Sequence, residues 1–189
     1  LDRGHPADRE RAAVAGAVDL VDDRVVDVAG AQEIGVQRVG VARLRQRRLR
    51  GRQRLPQHLA AEFVNRFLID RRPLPALALT TDSSILTAIG NDFGYDQVFV
   101  KQIQALGKAG DLALGISTSG NAQNVVQAAV AAKAMGMTVL GMTGQGGGLL
   151  QTYCDVCLTV PERETFRVQE LHLPIYHALC IALEEALFG

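Results

Sequence analysis

The chain has 189 residues, about one domain's worth, with 48% hydrophobic and 21% charged residues and a formal net charge of zero. That balance allows a packed core and excludes a whole-chain field that would draw nucleic acid or an anionic membrane. Three cysteines are too few for a disulfide framework and point to a reducing cytoplasm. No apolar run approaches the ~18 residues that cross a bilayer, and the charged start of the sequence shows no apolar signal core.

The first 57 residues stand apart. They hold twelve Arg and no Lys against eight acids, a charge of +4, whereas residues 58–189 carry −4. Residues 12–29 are rich in Val but follow neither a 3.6 nor a 2 period. Residues 36–42 (VQRVGVA) read as a strand, and residues 43–54 contain seven Arg. Two readings compete for this region: a basic arm, which predicts salt-sensitive nucleic-acid binding, or a stretch never selected as protein. The chain is therefore divided into an atypical Arg-rich region, 1–57, and a folded domain, 58–189.

From residue 58 the pattern is regular. Residues 74–80 (LPALALT) read as a strand after Pro73, and residues 82–90 and 95–106 as helices. In the second helix Phe99, Ile103 and Leu106 share a face at i, i+4 and i+7. Residues 111–116 (DLALGI) form another strand, which runs into Ser117-Thr118-Ser119-Gly120-Asn121. An Ala-rich helix over 125–135 stops at Gly136. Residues 138–143 (TVLGMT) and 155–160 are strands flanking a Gly-rich turn at 144–148, and 169–187 is a long final helix. Apolar strands alternating with helices predict a parallel sheet covered on both faces. Ligands of such sheets bind outside the carboxyl ends of the strands, where the Ser117 loop falls.

Several constellations carry chemistry. The hydroxyls of Ser117, Thr118 and Ser119 precede a helix start, whose amides and dipole favour an anion such as phosphate. The alternative is an ordinary N-cap. His58 and Glu62, four apart, share a helix face and suit either a base with its partner or two ligands of one metal. A surface contact is the plain alternative. Gln169 and His177 lie about 12 Å apart along the last helix, with Glu170 and His172 nearby, and can share a ligand only if it sits between them. Cys154-x-x-Cys157 has no second pair to make a zinc ribbon and reads as the start of a buried strand. The turn at 144–148 is a loop rather than a dinucleotide site, because Leu149 stands where the third Gly belongs.

Taken together, QHLAAEFVNRF (57–67), RRPLPALALTTDSS (71–84), AIGNDFGYDQVFVKQI (88–103), GDLALGISTSGN (110–121) and RVQELHLPIYH (167–177) resemble the phosphoheptose isomerases. The resemblance implies an α/β SIS domain, a three-layer α/β/α sandwich with a five-stranded parallel sheet, assembling as a homotetramer with sites between subunits. It implies conversion of sedoheptulose 7-phosphate to D-glycero-D-manno-heptose 7-phosphate, the start of bacterial heptose and lipopolysaccharide synthesis. Glu62 matches the family's catalytic base and His177 its acid. Ser117, Thr118 and Ser119 match the phosphate loop, and Arg66, Asp92 and Gln169 match residues lining the sugar. His58, Glu62, Gln169 and His177 match the set that binds zinc in some members. The rivals are a non-catalytic SIS branch that binds the replication initiator, lacking residues like Glu62 and His177, and a sugar-phosphate-sensing SIS module that needs neither.

The sequence departs from the family in two places. Ala122 replaces a Ser of the phosphate loop, a loss of about 1 kcal/mol for one donor. Upstream of His58 the family has a Gly-Asn-Gly-Gly-Ser-Ala-Ala-Asp loop, but residues 45–52 read RQRRLRGR. GC-rich codons for the family loop, read one base early after a C, translate to that Arg-rich string. A frameshift regained near Gln57 would explain the excess Arg, the missing Lys and the absent periodicity. The loss of the Gly-rich loop puts the activity of this chain in question.

Overall fold

A computed structural model describes residues 39–43 and 54–189. The expectations for residues 1–38 and 44–53, including the loop position at 45–52, lie outside the described residues. In chain order the elements are β1 (Val39–Arg43), α1 (Arg54–Val64), β2 (Ala76–Ala78), α2 (Ser83–Phe93), a 3-10 turn (Tyr95–Gln97), α3 (Val100–Leu106) and β3 (Leu112–Ser117). There follow α4 (Gln123–Ala134), β4 (Thr138–Thr143), α5 (Gly148–Gln151), β5 (Val156–Thr159) and α6 (Thr165–Phe188).

The five strands form one parallel sheet in the order β2-β1-β3-β4-β5. Side chains alternate across it, as strand geometry requires. Ala113 and Val139 join a core with Phe99, Ile103, Val125, Ala129 and Leu150, under α3, α4 and α5. Leu114, Ile116, Leu140, Met142 and Leu158 join a second core with Leu59 and Phe63 of α1 and Tyr176, Leu179 and Cys180 of α6. Two helical layers thus cover the sheet, as the unbroken apolar strands predict. Strand order reverses between β1 and β3. Such a switch point is where ligands of open parallel sheets bind, and the helices that follow the two strands, α1 and α4, pack on opposite faces of the sheet.

β1 comes from within the Arg-rich region, at the strand expected over 36–42, and α1 begins at Arg54. The division at residue 57 therefore falls inside a helix, and the sheet takes its second strand from upstream of it. The helix expected over 95–106 resolves into a 3-10 turn followed by α3. Amides of Gln97 and Val98 bond back three residues, to Gly94 and Tyr95, which tightens the start of the segment. Asp82 caps α2 by accepting the Ile85 amide at 2.9 Å.

The final helix starts at Thr165, ahead of the expected 169, and contains Pro174, which has no amide to give the Glu170 carbonyl. By length and composition α6 could cross a membrane, contrary to the expectation that no segment would. Yet Val168, His172, Tyr176, Leu179, Cys180 and Glu184 are buried within the fold, two of them polar and bonded to protein partners. Its apolarity serves the second core.

Candidate active site

Two structural units hold most of the expected site residues. The first is the turn leaving β3. Ser117 is buried, with its Oγ accepting the Gly120 amide at 3.1 Å. Ser119 is exposed and its Oγ accepts the Asn121 amide at 3.2 Å, while Thr118 is half-buried. Ala122, at the N-cap of α4, supplies no side-chain cap, and within the first turn the Val125 amide donates to Asn124 Oδ1 at 3.1 Å. Hydroxyls and helix start together form the arrangement that suits a phosphate.

The loop is held in shape by the Gly-rich turn. Gly120 has φ +67°, and a Cβ there would lie 1.9 Å from the Gly147 carbonyl oxygen. Asn121 Oδ1 accepts the Leu149 amide at 3.0 Å, and the Leu150 amide donates to the Gly120 carbonyl at 2.8 Å. The glycines at 144–148 therefore admit the Ser119–Gly120 backbone at close range, which is the loop role read from the sequence. Gly120, Gly147 and Asn121 were not among the expected site residues. Gly120 and Asn121 were signalled by the STSGN stretch and Gly147 by the Gly run, but the contact between them was not, because the close approach joins two separate loops.

The second unit joins α1 to α6. His58 Nε2 lies 3.4 Å from Glu62 Oε1, one turn apart on α1. The His58 ring centroid is 6.3 Å from that of His177 and 6.2 Å from that of Tyr176 on α6. His177 is also flanked by Phe67, stacked at 5.5 Å and 26°, and by Tyr176 at 4.4 Å, edge-on. Burial, then the charges of Cys180 and Glu62, push the Tyr176 hydroxyl up to about 12, so it stays protonated at neutral pH. Leu59 and Phe63, on the adjoining face of α1, anchor the helix in the core and leave His58 exposed and Glu62 largely covered, its side chain 20% exposed.

The structure thus brings His58, Glu62 and His177 together. Gln169 is half-buried two turns earlier on α6, and Arg66 is exposed just beyond α1. Asp92 is exposed near the end of α2, whose Leu86 and Ile89 pack on the other face of the sheet from Glu62. Among the described residues no group of three or more His, Cys, Asp or Glu is arranged to hold an ion. Cys154 and Cys157 flank the start of β5, and Thr143 Oγ1 lies 3.8 Å from Cys157 Sγ.

A doubly covered parallel sheet with a hydroxyl-rich loop at its carboxyl edge is the architecture of a SIS domain, and residues 53–144 match the SIS domain family model. A phosphoheptose isomerase of Nitratidesulfovibrio vulgaris strain Miyazaki F is 61% identical over 132 residues, 70% of this chain and 64% of that relative. This chain therefore spans just under two thirds of that relative's length. The phosphoheptose isomerase of the Hildenborough strain is 49% identical over 166 residues, 88% of this chain and 79% of the relative. The structure of a phosphoheptose isomerase from Neisseria gonorrhoeae superposes with a TM-score of 0.76 at 38% identity, covering 92% of this chain and 85% of that one. The chain belongs to the phosphoheptose isomerase family.

Proposed function

We propose that this chain is an aldose–ketose isomerase acting on sedoheptulose 7-phosphate, with Glu62 as base and His177 as acid. The observation that carries the reading is the meeting of His58, Glu62 and His177 across α1 and α6. Isomerisation moves a proton between C1 and C2 through an enediol, and it needs a carboxylate to take that proton and a donor for the oxygen. Neither rival branch, the initiator-binding one or the sugar-phosphate sensor, needs such a group.

In this reading the Ser117, Thr118 and Ser119 loop and the start of α4 hold the phosphate. The reacting carbons then lie toward the α1–α6 group, with Arg66 and Gln169 along the sugar. Asp92 sits on the opposite face of the sheet, so it reaches a sugar only in a neighbouring copy. A homotetramer with shared sites supplies that copy, and the exposed Phe93, Tyr95 and Phe166 support such packing. A mass measurement in solution giving four chains is the expected result. His58, Glu62, Gln169 and His177 would be the ligands of a zinc ion on the strength of the family resemblance alone, and no step is routed through it. Elemental analysis with a chelator test decides it, and full turnover after chelation removes zinc from the reaction. The reading places the protein in the cytoplasm.

The direct test is turnover of sedoheptulose 7-phosphate by this chain beside one in which residues 45–52 are restored to Gly-Asn-Gly-Gly-Ser-Ala-Ala-Asp. The restored chain is expected to turn over, and the present one weakly or not at all, because Arg can meet phosphate but this loop is not shaped to cradle it. Equal turnover of the two removes the loop's importance. An idle restored chain sinks the isomerase reading.

A further inference from the structure

Behind the acid–base group lies a buried ion pair. Arg71 Nε and Glu184 Oε1 are 2.8 Å apart, with side chains only 2% and 4% exposed. The Glu184 carboxylate also accepts the amides of Phe67 and Leu68, each at 2.8 Å, and of Ile69 at 3.2 Å. The Arg71 guanidinium donates from Nη2 to the Glu62 carbonyl at 2.9 Å and from Nη1 to the Phe63 carbonyl at 3.0 Å. Those carbonyls belong to the last turn of α1, where acceptors lose their helical partners. Arg71 therefore caps the helix at the residue that carries the base.

We infer that Arg71 and Glu184 are positioning residues that lock Glu62 and His177 into one geometry, an inference that rests on the isomerase reading above. One end of the pair holds the backbone of Glu62. The other holds the backbone of Phe67, whose ring stacks on His177. Glu184 itself rides on α6 two turns beyond His177, on the same side of the helix. The end of α1, the turn that follows it and the acid-bearing stretch of α6 are thereby tied through one carboxylate and one guanidinium. Apolar packing alone would hold the two helices together, but it has no direction. A forked guanidinium and a carboxylate with four donors fix angles as well as distance. Aim matters here, because a misplacement of ~1 Å between reacting groups costs roughly a hundredfold in rate.

The test uses the full-length, loop-restored chain as parent and three variants of it: Arg71→Lys, which keeps the charge and loses the fork, Glu184→Gln, and the apolar double variant Arg71→Met with Glu184→Leu. Folding is checked by circular dichroism. In those that fold, kcat is expected to fall by about tenfold or more while KM stays within about threefold, the pattern of lost alignment rather than lost binding. The ring resonances of His177, shielded by Phe67, are expected to move toward those of a free imidazole. A folded variant with parental kcat and an unmoved His177 signal overturns the inference. So does failure of all three to fold, which would make the pair a folding element only. A loop-restored parent that does not turn over sinks the isomerase reading instead, and the His177 resonances then decide the positioning role by themselves.

Discussion

The rings of His58 and His177 stand 6.3 Å apart, centroid to centroid, at an interplanar angle of 67°. They come from helices at opposite ends of the described domain, and Glu62 shares His58 as a neighbour at 3.4 Å. Glu62→Gln keeps the size of the side chain and removes the base. Turnover of the loop-restored chain is expected to fall by ~10²–10⁴-fold, with thermal unfolding within a few degrees of the parent. Steady-state kinetics and a melting curve check both parts, and retained activity would remove Glu62 from its assigned role.

Glu184 makes acid stability measurable. Burial opposes its ionisation, but the amides of Leu68, Phe67 and Ile69 and the Arg71 guanidinium hold its carboxyl at about 2, below the ordinary 4.5. A carboxyl lowered on folding stabilises the native state above its unfolded value, and that contribution fades as pH falls through the folded value. Glu184→Gln is expected to cost ~3 kcal/mol at neutral pH, the scale of a broken buried pair. The gap between parent and variant should close between about pH 4.5 and 2. Urea melts across that range would show it, and a gap independent of pH would contradict the assignment.

The two cysteines beside β5 are unequal. The hydrogen bond from the Cys154 thiol lowers Cys157 to about 7 against the effect of burial, and the Thr143 hydroxyl adds to the lowering. Cys154 is pushed up, first by that same bond and then by burial. Iodoacetamide at pH 7.5 is therefore expected to modify Cys157 before Cys154. Its rate should rise with a midpoint near pH 7, as the thiolate forms. Cys154→Ala removes the donor and should move that midpoint upward. Mass-spectrometric mapping reads the order, and equal labelling of both cysteines would refute it.

Gly120 tests the loop. Its φ is positive, and the Gly147 carbonyl oxygen lies 1.9 Å from where a Cβ would stand, so there is no room for a side chain. Gly120→Ala is expected to cost about 1–3 kcal/mol of stability and to weaken binding of inorganic phosphate, because Ser119 and the start of α4 move with the loop. Calorimetric titration with phosphate measures the second effect, and unchanged affinity would separate the loop from the anion site.

Much of this architecture was legible in the chain itself. LALGIS and TVLGMT are apolar at nearly every position, which suits a doubly covered parallel strand, and the Ser117 loop announces itself between a strand and a helix. The fate of VGVAR was legible too, although an Arg-rich neighbourhood obscured it. The 3-10 turn at Tyr95–Gln97 was not, because it depends on how Val98 and Phe99 are drawn into the core. Nothing in the sequence set Arg71 and Glu184 apart from the other charged residues, since a residue's burial is decided by what folds over it.

The sequence alone determined the fold class and offered the hydroxyl loop as a candidate anion site, since hydrophobic period and local motifs are properties of neighbouring residues, while the proposed acid–base roles came from resemblance to the family. Only the tertiary structure decided that His58 and Glu62 meet His177 and that Gly120 lies on Gly147. It also decided that a buried Arg71–Glu184 pair ties the two helices of the site together. Those contacts join residues far apart in the chain, and their geometry exists only after the sheet has closed between them.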